Sequence, residues 1–472
     1  MMALTARQIA HIVGGRVVAG DPGSVYRHVS IDSRNLSSVA ADVAAQTLFV
    51  ALKGPRFDGH DFIEAAYRLG ARGVIASAPA PTAPGAPTWI EVADTQLALE
   101  MVGRAARDFH PGRVVAVTGS VGKTTMKDMI AAALEADAPG RVGKTPGNLN
   151  NHLGLPLTLA ATTGDERWLV LELGMSAPGE IARLTHMARP EVGVVTRAAA
   201  AHLAFFDSVD AIADAKAELW EHLPARATAV CNADDARLLA RVGRRPQVTY
   251  GVAPSATVRL VAARHDDAGL VAELATPQGP IVVTLAAVGQ HTAHNAAGAL
   301  AAVHALGLPL GPAAAALGAG FRPGKHRLER MELGGVRVLD DCYNANPASM
   351  RAALETFEVV ARDAAIRVAL LGSMRELGPE ADALHREIGH EAARRGVTRL
   401  FATGAHAAAL AEGARAAGLA DVVTAEDVGA LLERLADALP VGAWLLLKGS
   451  RGEALERALA ALGERGVAGE AG

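Results

Sequence analysis

Apolar positions in this chain fall into short runs, separated by alanine-rich stretches whose apolar residues recur at helical spacing. Within the first 110 residues, TLFVAL at 47–52 and GVIASA at 73–78 read as strands among short helical segments, and a proline-rich bend spans Pro79 to Pro87. After the turn signal His110-Pro111-Gly112, the runs RVVAVT (113–118), WLVLEL (168–173), VGVVT (192–196) and TAVCN (228–232) alternate with helical stretches to about residue 320. Such alternation predicts a parallel sheet with helices on both faces. Beyond Gly320–Gly324 the pattern starts again with VRVLDD (336–341), IRVALLG (366–372), RLFATG (399–404) and AWLLLKG (443–449). The fold predicted is α/β in three domains. A small mixed α/β domain covers 1–110, a central doubly wound parallel sheet with a phosphate loop covers 111–320, and a Rossmann-like α/β domain covers 321–472. Thr5 and Gln8 fit a capping box that opens a first helix, and the last residues, 466–472, read as frayed.

Length agrees with this division, since 472 residues at roughly 150 per domain suggest about three domains. Half the residues are hydrophobic and 20% are charged, which excludes wholesale disorder. Lysine plus arginine number 46 against 50 acidic residues, so the net charge is −4 and no broad field faces nucleic acid or anionic lipid. The two cysteines, Cys231 and Cys342, are too few for a disulfide scaffold, show no metal-ligand spacing and suit a reducing cytoplasm. The N-terminus lacks the layout of a secretion signal. The most apolar stretch, about 293–321, is interrupted by His294, Asn295, His304, Pro309 and Pro312, so no membrane span is expected. A cytoplasmic protein without nucleic-acid partners is expected.

The strongest chemical signal is VVAVTGSVGKTTMKDMI at 114–130. An apolar strand runs into Thr118, Gly119, Ser120, Val121, Gly122, Lys123, Thr124 and Thr125, and a helix follows. Glycines let backbone N–H groups turn toward phosphate oxygens, and the helix N-terminus adds its positive end. Lys123 then supplies a charge to the β/γ-phosphates and Thr124 a hydroxyl to Mg²⁺. The strict G-x-x-x-x-G-K-[ST] pattern fails, because position 117 is Val. A plain glycine turn ending in Lys-Thr is the alternative; the flanking strand and helix favour nucleotide binding. Glu172 closes the next strand at the end where parallel sheets bind ligands, so it is a candidate Mg²⁺ ligand or an ordinary strand-end glutamate. The amide-rich run 145–151, with Asn148 and Asn150, suits a polar substrate or an asparagine-rich turn.

Taken in order, TGSVGKTT (118–125), TPGNLNNHLGLPLTL (145–159), ELGMSAPGEI (172–181), AAAHLAFFDS (199–208) with AKAEL (215–219), DDCYNANPASM (340–350), LGSMRELG (371–378) and LLLKGSR (445–451) resemble the Mur ligase family. SIDSR (30–34), LFVALKG (48–54) and FDGHDF (57–62) extend the resemblance to the N-terminus, so it covers nearly the whole chain. The family builds the peptide stem of bacterial cell-wall precursors. NANP (344–347) and MRELG (374–378) point within it to the addition of D-alanyl-D-alanine to UDP-N-acetylmuramoyl-tripeptide, driven by ATP with Mg²⁺. The resemblance implies that the tripeptide carboxylate takes the γ-phosphoryl group and that the dipeptide amine then displaces phosphate. It also implies a monomer.

The same resemblance implies roles for single residues. Lys123, Glu172, His202 and Lys216 would be catalytic, with Thr124, Glu172, His202 and a carbamylated Lys216 near the metal. Asn295 would read adenine, Asp341 the ribose and Arg327 the γ-phosphate. Asp32 and Ser33 would serve the UDP end, and Asn344 and Asn346 the dipeptide. Each has a plain alternative: a helix cap for Asn295, a turn former for Asp341, a surface charge for Arg327, a helix-surface lysine for Lys216. Carbamylation needs a neutral amine, which burial favours in lysines. Four positions depart from the family pattern. Arg197 replaces an asparagine after Thr196, Ala204 an acidic residue, Thr292 the first asparagine of H-N-x-x-N, and Ser373 the aspartate of L-G-D-M. A ligase with another carboxylate–amine pair, a different P-loop NTPase and a catalytically silent homologue remain the competing readings.

Overall fold

Thr5 and Gln8 form the predicted reciprocal cap: Gln8 N–H donates to Thr5 Oγ1 at 3.2 Å and Thr5 N–H to Gln8 Oε1 at 2.8 Å, opening the helix Ala6–Ile12. The computed structural model describes residues 3–81, 87–200, 205–266 and 269–469, with side chains described to residue 463. The chain forms two units: residues 1–118, 137–194 and 218–228, and residues 119–136, 195–217 and 229–472.

In the first unit a five-stranded sheet has the order Arg16–Ala19, Thr88–Glu91, Gly73–Ala76, Thr47–Val50, His28–Ser30; its first pair is antiparallel and the rest are parallel. The predicted runs at 47–52 and 73–78 are thus strands of four residues each. A second set of strands pairs Arg113–Thr118 in parallel with Trp168–Glu172, and that strand in parallel with Val142–Lys144. Val114 to Val117 are wholly buried, as β-branched runs covered on both faces of a parallel sheet are. Glu172 lies in register beside Val117, one residue before Thr118 ends its strand.

In the second unit, Ala229–Asn232 pair in parallel with Gln247–Tyr250, and Tyr250–Gly251 with the start of Val258–Asp266. From there the sheet continues antiparallel: Val258–Asp266, Gly269–Thr276 and Gly279–Leu285 form a meander. The reason is loop length. A parallel return needs a crossover of about a dozen residues or more, and only Pro277 and Gln278 separate the last two strands. The helix Gln290–Ala305 packs on Lys123–Leu134 with Gly298 against Met126 and Tyr250, where a Cβ would collide.

The C-terminal sheet has the order Glu329–Leu333, Val336–Asp340, Trp444–Lys448, Arg367–Gly372, Arg399–Thr403, Val422–Ala425, with only the first pair antiparallel. The strand 444–448 fills the place between 336–340 and 367–372, so the chain order reverses there, which is where open α/β sheets bind ligands. The helix Arg457–Gly469 includes residues 466–469, read as frayed from sequence; 470–472 lie outside the described residues. Among the described residues no helix is long and apolar enough to cross a membrane.

Helix Pro347–Val360 begins at a capping box. Asn346 Oδ1 accepts from Ser349 N–H at 2.9 Å, Ser349 Oγ accepts from Asn346 N–H at 3.0 Å, and proline occupies the first turn. Asn346 therefore has a structural task that its expected dipeptide role did not include. Asn346→Ala is expected to cost about 1 kcal/mol of stability, read as a lower denaturant midpoint with an unchanged slope.

Candidate active site

The chain leaves the strand 113–118 and enters the loop at Gly119, whose φ of 145° and close neighbour Thr196 Oγ1 leave no room for a side chain. Gly122, at φ 82°, opens the helix 123–134, and no side chain caps that helix. Its first N–H groups therefore offer an anion site. Hydrogen bonds fix the loop to the segment 196–199, among them Ala199 N–H to Ser120 Oγ at 3.1 Å. Ser120 N–H donates to Arg197 O at 2.7 Å, Thr196 Oγ1 to Val121 O at 2.6 Å, and Ser120 Oγ to Ala199 O at 3.1 Å. Lys123 Nζ reaches back to Gly119 O at 2.8 Å. Thr124 and Thr125 are half-buried in the first helical turn. Asn295, nearly buried on the helix 290–305, sets its amide beside Gly122, 3.2–3.3 Å from where a Cβ would stand. Asn232 Nδ2 and Tyr250 Oη both donate to Thr196 O, at 2.9 and 3.1 Å, and so hold the segment that holds the loop. Sequence reading missed both; a buried asparagine ending an apolar strand was the available signal.

In the first unit, Glu172 is buried at its strand end. Its N–H donates to Thr145 Oγ1 at 2.9 Å, and Asn150 Nδ2 donates to its Oε1 at 2.8 Å. The amide-rich run thus orients a carboxylate through Asn150, while Asn148 is exposed and Asn151 Oδ1 caps the helix Gly154–Ala160. Thr118 Oγ1 is buried and has no hydrogen-bond partner among the described residues. Within the first unit, this hydroxyl and the buried strand-end carboxylate of Glu172 are oxygen donors of the kind a hard cation takes. Lys216 is only 1% exposed on the helix Val209–Glu221, which removes the helix-surface alternative. His202 and Ala204 lie outside the described residues. Asp32 caps the turn 33–38 and forms a fork with Arg34, whose hydrogen bond holds the carboxyl below its usual range; Ser33 is buried.

At the carboxyl edge of the C-terminal sheet, Lys448 is buried and pairs with Asp341 Oδ2 at 2.7 Å. Its Nζ also donates to Asn344 O at 2.7 Å and Asp341 O at 3.2 Å. Leu328 N–H donates to Asp341 Oδ1 at 3.2 Å, so both carboxylate oxygens of the expected ribose ligand have protein partners. Burial pushes the Asp341 carboxyl up, against the pull of Lys448 and Arg327. Asn344 is exposed, and its Oδ1 accepts from Ala345 N–H. Arg327 stacks over the Tyr343 ring at 4.0 Å, between His326 and Leu328, both at positive φ. Cys342, which showed no ligand spacing in sequence, meets His326 and Asp340; Asp340 accepts from His326 Nδ1 at 2.5 Å and from Cys342 N–H at 3.1 Å.

A cavity of about 560 Å³ opens on the same edge, at the ends of strands 367–372 and 399–403. Its wall is the segment 373–378; Arg375, Glu376, Glu426, Asp427 and Glu453 bring charge to it, and His406 stands among them. No spacing argument pointed to Glu453 or His406.

Three family models match the chain: "Mur ligase family, catalytic domain" over 25–111, "Mur ligase middle domain" over 117–303 and "Mur ligase, glutamate ligase domain" over 326–451. The UDP-N-acetylmuramoyl-tripeptide–D-alanyl-D-alanine ligase of Escherichia coli K12 is 35% identical over 478 residues, covering 99% of this chain and 100% of that protein. The chain belongs to the Mur ligase family. The Bacillus subtilis protein of the same name is 33% identical, with 97% of each chain covered. Among solved structures of Mur ligases, MurF from Acinetobacter baumannii matches with a TM-score of 0.87 at 28% identity, covering 98% of this chain and 99% of that one. MurF from Thermotoga maritima in complex with ADP matches with a TM-score of 0.80 at 28% identity, covering 93% and 98%.

Three of the departures from the Mur ligase pattern have physical explanations. Arg197 is exposed, and its carbonyl, which any residue has, makes the contact to the loop. Thr292 is buried and its hydroxyl donates to Val288 O, just ahead of its helix, at 2.7 Å. Ser373 accepts from His406 N–H at 3.0 Å and donates to Thr403 O at 3.4 Å, and a carboxylate could not make the second bond.

Proposed function

We propose that this Mur ligase is the ATP-dependent enzyme that joins D-alanyl-D-alanine to UDP-N-acetylmuramoyl-tripeptide. The observation that carries this reading is the phosphate loop, with its uncapped helix and Lys123, in a chain aligned end to end with ligases of that name. The tripeptide's terminal carboxylate attacks the γ-phosphorus, giving an acyl phosphate and ADP. The dipeptide amine then attacks the acyl carbon, the C–O bond to phosphate breaks, and the amide, inorganic phosphate and one proton are released. Reaction between two anions needs positive charge more than a covalent nucleophile. Lys123 and the helix N–H groups provide it at the phosphates, with Thr118, Gly119, Ser120, Gly122, Thr124 and Thr125 shaping the cradle. Asn295 faces the base, and Arg327, released from Tyr343, serves the γ-phosphate. Asp341, with one protein donor on each carboxylate oxygen, accepts the ribose hydroxyl on a remaining lone pair. Mg²⁺, with Thr124, Glu172, His202 and a carbamylated Lys216 as its proposed ligands, supplies charge neutralisation when bound.

Residues 1–110, through Asp32 and Ser33, hold the UDP end; 111–320 bind ATP; 321–472 bring the dipeptide, with Asn344 and Asn346 as its proposed contacts. The C-terminal cavity offers both signs of charge, as a zwitterionic dipeptide requires. The enzyme works as a monomer in the cytoplasm. A phosphate-release assay with ATP, UDP-linked tripeptide and D-alanyl-D-alanine is expected to turn over only when all three are present. Phosphate release from ATP alone would instead identify an NTPase, and an inert complete mixture a silent homologue.

A further inference from the structure

The C-terminal cavity contains one carboxylate in an unusual place. Glu453 is only 10% exposed by side chain, and its nearest cation is Arg375 at 3.7 Å. Gly404, at φ 89°, lines the cavity, and the point where its Cβ would stand is in contact with both Glu453 Oε2 and Ser373 Oγ. Gly372 and Gly452 are close-packed on Glu453 and Arg375 in the same way. Side chains at these glycines would displace the carboxylate or the guanidinium. The Mur ligase pattern has an aspartate at 373, where this chain has serine. The negative charge missing from one side of Gly404 is therefore present on the other, brought by a residue 80 positions later.

We infer that Glu453 receives the ammonium group of the incoming dipeptide. Burial raises the Glu453 carboxyl, and Arg375 and His406 only partly offset this, so an added cation is favourable there. The neutral serine at 373 fits the same picture, since a second buried carboxylate beside Glu453 would repel it. The assignment rests on the dipeptide reading of the cavity.

The test separates the two. Glu453→Gln is expected to raise the dipeptide KM at least about tenfold, equivalent to about 1.4 kcal/mol, with the KM values for ATP and UDP-tripeptide unchanged. Ser373→Asp in the wild-type background should also weaken dipeptide binding. Combined as Ser373→Asp/Glu453→Gln, the two should recover much of it, because the charge is moved and not lost. An unchanged dipeptide KM in Glu453→Gln, or a double variant no better than Glu453→Gln, overturns the assignment. Ala405→Trp, which fills the cavity from an exposed position, is the control. If it raises the dipeptide KM while Glu453→Gln does not, the cavity stands and Glu453 falls. If it has no effect, the cavity reading fails and the assignment with it. Should Glu453→Gln melt early, Ser373→Asp alone carries the test, and an unchanged dipeptide KM there overturns the assignment.

Discussion

Lys123→Ala is expected to lower turnover by about 10³-fold or more while the thermal midpoint stays near that of the wild type. The lysine begins the helix 123–134, where it is not part of the apolar core, and its ammonium folds back on the loop through Gly119 O. Removing it leaves the glycine turns, the bonds to 196–199 and the helix N–H groups in place. What disappears is a fixed positive charge aimed at phosphate oxygens, whose negative charge is redistributed as the phosphoryl group moves. Lys123→Arg should rescue poorly, since a planar fork does not occupy the space of a compact ammonium. Turnover in the three-substrate assay and a thermal melt on the same samples decide the matter. Near-normal turnover in folded Lys123→Ala would refute the assignment of the loop to ATP.

Lys216→Ala should cost about 10²-fold or more, with partial recovery on adding a short carboxylate such as formate or acetate. The side chain is buried in the middle of the helix 209–221, flanked by buried alanines. A buried amine that reacts with CO₂ becomes an anion, losing one proton as the N–C bond forms. Without the side chain, a small carboxylate can enter the space and supply the same charge. Labelling with ¹³C-bicarbonate gives a direct readout: a carbamate carbonyl resonance in wild-type protein that is absent from Lys216→Ala. Full activity in the unrescued variant, or no such resonance in active wild-type enzyme, would end the idea.

The strand–loop–helix at 113–134 could be read from sequence because its determinants are local: an apolar run, glycines at the two positive-φ positions and a helical repeat. The meander at 258–285 lay outside the strands named from sequence, although the short connection 277–278 already requires a hairpin. Contacts made by backbone atoms were invisible in another way. Arg197 looked like a defect because its side chain is wrong, yet its carbonyl does the work. Lys448 is 107 residues from Asp341, and Glu453 lies across the sheet edge from Ser373. Only the folded order of strands brings such pairs together, and no spacing rule reports them.

The cavity wall is anchored at three consecutive residues by three different parts of the chain. Ser373 is tied to Thr403 and His406, Met374 N–H donates to His385 Nε2 at 2.8 Å, and Arg375 N–H to Ser450 Oγ at 3.1 Å. Ordering a residue's backbone costs about 1–2 kcal/mol of conformational entropy, and here folding has already met that cost before any ligand arrives. A molecule entering this cavity gives up its own freedom but none of the wall's, so binding should be fast and little slowed by rearrangement. The same anchoring fixes the outline of the wall at 373–375, so that ligands are sorted there by shape as well as by charge.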